Sequence, residues 1–203
     1  MGKSQIIRKI HSAAINYKSY FVGNTYMFVY EGKYVEVQFK KSSFMHLTGV
    51  ASNLKSEDFY KHALERNGLR IAEVFFDTDH PYDLADKKTS CLSDLYRITI
   101  EDVMIATDMT TATFTYSIGI TNLKFIICLG SNTDHNGNVL NSCMVPYSFR
   151  VEEIDNSKFD NLYEVTHILK KNTGQKKYNI LTFGNKDTLS ELPLEIQEKI
   201  GLE

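Results

Sequence analysis

The sequence predicts an α+β protein in which N-terminal helices pack on a mainly antiparallel β-sheet. Three observations carry this. Segments of helical period cluster in roughly the first half of the chain, strand-period segments dominate from about residue 103 onward, and 12 Tyr and 12 Phe accompany many β-branched residues. Segregation of helices from a meander of strands is the mark of α+β rather than alternating α/β architecture, and aromatic and β-branched residues suit the pleated, half-buried surface of a sheet.

Residues 4–18 read as the first helix, because Ile6, Ile10, Ala13, Ala14 and Tyr17 recur on one face. Residues 25–31 and 33–40 read as a hairpin turning at Gly32, with Val35, Val37 and Phe39 alternating against Glu36, Gln38 and Lys40. Ser42–Val50 reads as a short helix. Ser56–Arg66 reads as another, capped by Ser56, with Glu57 and Asp58 in the first turn and Asn67-Gly68 past its end. Residues 69–77 read as a strand and Ala85–Leu95 as a helix. Then come strands near 103–120, 124–129, 139–151, 162–171 and 177–183, with Asn136-Gly137 as a hairpin turn and Pro193 opening a last short helix.

The 203 residues suit one domain, 1–203, with one buried core. Net charge is −2, which argues against a general nucleic-acid coat but leaves room for a local basic cleft. Cys91, Cys128 and Cys143 form no C-x-x-C pair, so free thiols in a reducing, cytoplasmic setting are expected. The longest clean apolar run, Phe125–Leu129, is far too short to cross a bilayer, and no membrane association is expected. No G-x-G-x-x-G, Walker loop, H-E-x-x-H or G-x-S-x-G occurs. The run Asn132, Asp134, Asn136, Gly137 imitates a calcium loop, but Cys143 stands where the bidentate Glu is needed. No metal and no cofactor are expected.

One stretch carries a resemblance. A strand, Tyr34–Phe39, feeds a helix with the pattern Phe-x-His-Leu-x-Gly, here Phe44, His46, Leu47 and Gly49. In order follow Phe59–Leu64, His80-Pro81-Tyr82 with Lys87 and Lys88, and Pro146-Tyr147-Ser148-Phe149-Arg150. In these features residues 20–183 resemble the phage and mobile-element Barnase–EndoU–colicin–RelE-like nucleases, fourth subgroup. The resemblance implies a Barnase/RelE-like core and cleavage of RNA without a metal. In that chemistry the 2′-hydroxyl attacks the adjacent phosphate, a base takes its proton, an acid protonates the leaving oxygen and a cation steadies the charge.

Histidine titrates near neutrality, so His46 is the first candidate for acid or base; the alternative is a capping or core histidine. Arg150 is the candidate phosphate cation, sharing a strand face with Ser148, although alternation also describes any solvent-facing strand. His80, Lys87 and Lys88 are candidates for binding the RNA backbone, as is the hydroxyl row that includes Thr113 and Thr115. His167 reads as structural. The competing reading is a non-enzymatic phage or mobile-element protein, such as an inhibitor of host defence, that binds a host or phage protein on a reused nuclease fold. Tyr20, Tyr26 and Tyr30 are its candidate interface aromatics. No oligomeric state is implied.

Overall fold

The computed structural model describes residues 2–110, 115–151 and 161–202. Along the chain lie α1 (Lys3–Tyr20), β1 (Asn24–Tyr30), β2 (Lys33–Gln38), α2 (Phe44–Thr48), β3 (Ala51–Ser52), α3 (Ser56–Leu64), β4 (Val74–Phe75) and α4 (Tyr82–Leu92). Then come β5 (Met104–Thr110), β6 (Thr115–Thr121), β7 (Ile126–Thr133), β8 (Val139–Arg150), β9 (Asn161–Glu164), β10 (His167–Asn172), β11 (Ile180–Phe183) and α5 (Leu194–Gln197). This is an α+β protein with a large, mostly antiparallel sheet.

All five residues of the expected α1 stripe are buried. Glu31 and Gly32 both take positive φ, 45° and 68°, which gives the β1–β2 hairpin the twist its strands need. Several boundaries differ from expectation, and three have a visible local reason. Lys55, not Ser56, flanks α3, and Ser56 is its first helical residue without a side-chain cap. The expected strand at 69–77 is a single 3-10 turn followed by the two-residue β4. Here Glu73 folds back to accept the Arg70 N–H, so a side chain takes up a donor that a ladder would have used. The α4 helix begins three residues early, at Tyr82, because Pro81 flanks its start.

The main sheet runs β11-β10-β1-β2-β8-β7-β6-β5-β9. Every described neighbour pair is antiparallel except β2 and β8, which meet in parallel through Val37 and Met144. The sheet curls so that β9, at one end, leads after two residues into β10, next to the other end. Residues 161–164 pair with β5, and residues 167–172 pair with β1, although only Val165 and Thr166 lie between them. The Val165 N–H donates to Val103 while the Thr166 N–H donates to Val29, so this short link staples the two halves.

One face of the sheet packs on the helices. Tyr26 and Phe28 of β1, Val35 and Val37 of β2, Ile127 of β7 and Phe149 of β8 share one cluster with Ile6, Ile10, Phe44, Phe59 and Ala85. At about 25 cal/mol per Å² of apolar surface, a cluster of this extent is the main favourable contribution to folding. The opposite face carries Met27, Val29 and Leu169, which are covered by Tyr178 and by Ile196 of α5. That is why β1 is buried on both sides. It also corrects part of one expectation: Tyr26 and Tyr30 are core residues, 1% and 9% exposed, whereas Tyr20 is exposed as expected and stacks on Tyr96 at 4.5 Å. His167, 4% exposed, is structural as expected, with Nε2 bonded to Thr188 and the Asn185 carbonyl.

Candidate active site

The residues Lys41–Ser43 form a 3-10 turn that runs directly into α2. Phe44 and Leu47 are fully buried and fix α2 against the core, so His46, between them in sequence, emerges on the exposed side. Gly49 ends the helix in the left-handed region at φ 74°, where a residue without Cβ is favoured. The stem of Lys88 crosses it: a Cβ at Gly49 would sit 2.7 Å from Lys88 Cδ. The Phe-x-His-Leu-x-Gly pattern thus has a physical content. Two residues anchor, one projects, and the glycine both stops the helix and admits a lysine from α4.

His80 arrives from the turn before α4. Asp77 Oδ1 accepts the backbone N–H of Asp79 at 2.9 Å and of His80 at 2.7 Å, and lies 3.1 Å from His80 Nδ1. These donors, the His80 N–H foremost, hold the Asp77 carboxyl below its ordinary range. With Nδ1 turned to Asp77, Nε2 is the ring nitrogen left to meet a substrate. His46 remains accessible to solvent, yet crowding of its ring lowers its pKa from the ordinary histidine value, and the nearby charge of His80 lowers it further. The structure therefore brings His46, His80 and Lys88 to one region.

His46 lines a cleft of about 300 Å³ between the α2 region and the β7–β8 pair. Its walls include Lys40, Ser42, Ser56, Ser131 and Tyr147. A second cavity, of about 430 Å³, shares Lys40 and Ser42 with the first and includes Lys41, Gln38 and Glu57. Basic and hydroxyl side chains around a histidine can bind a phosphate and move its protons.

Arg150 and Ser148 are placed elsewhere. Their register partners are Ile126 and Cys128, which face away from the helices, whereas the intervening Phe149 joins the helix-side core. Arg150 lies 6.0 Å from the centre of the Tyr116 ring. The two residues do share a face, as their spacing suggests, but α2 and His46 belong to the other layer. Lys87 is exposed on α4 next to Lys88. Thr113 lies outside the described residues, and Thr115 is described by its backbone alone, paired with Thr110.

A second titratable cluster escaped the sequence reading. Glu36 of β2 is only 8% exposed; it accepts the Tyr178 hydroxyl at 2.7 Å and lies 3.5 Å from Lys199 and 3.8 Å from Lys171. Burial and then Glu36 push the Tyr178 phenol well up. Tyr34 on the same strand face donates to Glu195 at 2.9 Å. Strand alternation assigns Glu36 to solvent; the C-terminal segment that covers it lies some 160 residues away in sequence, too far for any local pattern to show. Tyr147, Lys40 and Asp77 were also missed. Only Asp77 carried a signal, since Asp commonly bonds backbone N–H groups two or three residues on.

Among the described residues, no group of three or more His, Cys, Asp or Glu is arranged to hold a metal ion, and no helix is long and apolar enough to cross a membrane. No curated protein and no solved structure matches the chain. A family model does: phage-Barnase-EndoU-ColicinE5/D-RelE like nuclease4 matches residues 9–187. That span contains α2, the His80 turn, α4 and both walls of the cleft, and the chain belongs to this nuclease family.

Proposed function

We propose that the protein is a metal-independent endoribonuclease of a phage or mobile element, acting in the cytoplasm as one domain on a Barnase/RelE-like core. The observation that carries this reading is His46 in a hydroxyl-lined cleft, with His80 close enough for its charge to act on that ring, in a nuclease-family chain. A lowered pKa leaves His46 neutral near pH 7 and suited to take the 2′-hydroxyl proton. As the 2′-oxygen bonds to phosphorus, the bond to the 5′-oxygen breaks. His80, oriented by Asp77, delivers the proton to that leaving oxygen. Lys88, and Lys40 in the cleft, supply the positive charge that the phosphate requires. The products are a 2′,3′-cyclic phosphate and a 5′-hydroxyl. Arg150 and Ser148, on the far layer, take no part in this step.

The test is cleavage of tRNA, mRNA and rRNA in EDTA by the wild type, His46→Ala and Arg150→Ala. The wild type should cut, His46→Ala should lose about 10²–10⁴ in rate, and Arg150→Ala should lose far less. Intact RNA at high enzyme excess would overturn the proposal in favour of the non-enzymatic interaction protein.

A further inference from the structure

A cavity of about 800 Å³ lies between α1 and the chain that follows α3, and it shares no lining residue with the His46 cleft. From α1 come Ile7, Arg8 and His11, whose spacings of three and four residues put them on one side of the helix, beside the stripe that enters the core. Past α3 the chain turns sharply: Asn67 takes φ 62°, and a Cβ at Gly68 would lie 2.5 Å from the His62 carbonyl oxygen. That turn brings Arg66 and Arg70 to the same cavity. Ala63 and Leu69, 1% and 5% exposed, supply it with buried apolar surface, and Ile71 adds more.

The charges around this cavity are out of balance. Three arginines line it, and Glu65 is the one acid among the described lining residues. Arg70 is already engaged, its Nε 3.2 Å from Glu73. Neither Arg8 nor Arg66 has an ion-pair partner among the described residues. His11 adds a polar nitrogen. Its Nδ1 donates to the Ala63 carbonyl at 2.8 Å, so Nε2 is the ring nitrogen left unbonded. Like charges gathered without acids repel one another, and an anion seated among them relieves that repulsion.

We infer that this cavity binds a small phosphomonoester, its phosphate gripped by Arg8 and Arg66 and its apolar body laid against Leu69 and Ile71. Two guanidinium groups without acids match the two charges of such a phosphate, and the planar fork of each can hold two of its oxygens. The apolar surface calls for a body as well as an anion, and the volume suits one, since small-ligand sites combine apolar walls with a few placed polar groups at this size. The inference stands apart from the ribonuclease reading, because neither arginine lines the His46 cleft.

Isothermal titration calorimetry of the full chain tests it, at low salt and about pH 7.5, where a phosphomonoester is mostly dianionic. The probes are 1-naphthyl phosphate, inorganic phosphate and 1-naphthol. Naphthyl phosphate should bind at one site, at least about tenfold more tightly than inorganic phosphate, and naphthol should not bind measurably. Arg8→Ala and Arg66→Ala should each weaken naphthyl phosphate about ten- to a hundredfold. Both side chains are exposed and unpaired, so these variants should fold, which circular dichroism checks. Ile71→Asp, at a position 56% exposed, sets a negative charge at the cavity and should abolish binding. No binding of naphthyl phosphate, equal binding of naphthol, or arginine variants that bind like the wild type would overturn the inference. So would arginine variants that lose affinity for a short 2′-O-methyl RNA while all three probes fail to bind, which would assign the cavity to nucleic acid.

Discussion

Asp77 and His80 are joined twice through one oxygen: Asp77 Oδ1 accepts the His80 backbone N–H at 2.7 Å and sits 3.1 Å from the His80 ring nitrogen Nδ1. The contact is local, three residues apart, and sets the ring without help from the core. Asp77→Ala should therefore leave the fold intact and lower kcat on RNA about tenfold, with little change in KM. Steady-state kinetics beside circular dichroism checks this. A loss confined to KM would show that His80 only binds.

His46 should titrate below the ordinary imidazole value, since crowding and the charge of His80 both disfavour its protonated form. The acid limb of the pH–rate profile should then lie below that value. Replacing His80 by Asn removes the second cause and should move the His46 titration upward, which proton NMR of the ring reads independently of activity. The same shift links to stability. As pH falls through the ordinary histidine range the unfolded chain takes the proton before the folded one, so stability declines in that window and levels off below the folded pKa.

Gly49→Ala puts a Cβ where φ is 74° and where Lys88 passes. The lysine stem can move aside; the backbone cannot. The variant should unfold about 1 kcal/mol more easily in urea, and its displaced Lys88 should weaken RNA binding. Unchanged stability would show that α2 can end without a left-handed residue.

Glu36→Ala should be costlier. It strands the Tyr178 hydroxyl and removes the carboxylate shared by Lys171 and Lys199. A loss of about 2–3 kcal/mol is expected, less for Glu36→Gln, which keeps an acceptor for Tyr178. Limited proteolysis should cut the alanine variant first within residues 186–202, the part of the cover that carries Ile196 and Lys199. Retained resistance there would show that Ile196 and its apolar neighbours suffice to hold it.

The legible parts of this chain were those settled by near neighbours. The α1 stripe, the Gly32 turn and the alternation of β2 and β8 could be read because period and turn chemistry act within a few residues. Phe44, His46, Leu47 and Gly49 were legible as a pattern, and the fold supplies its reason. What could not be read depends on distant pairing. Glu36 looks solvent-facing until Lys199 arrives. Arg150 looks like a partner for His46 until the sheet places them on different layers.

The staple at Val165 and Thr166 also bears on how the protein folds. The β7–β8 hairpin pairs residues close in sequence, whereas Thr166 must find Val29, on the far side of the chain. Contacts of such separation form only after the intervening chain has lost most of its freedom, and they slow the search. Refolding should thus assemble the hairpin early and form the staple last. In pulsed hydrogen exchange the amides of Val165 and Thr166 should gain protection after those of β7 and β8. Simultaneous protection would mean that hairpin and staple form in a single cooperative event.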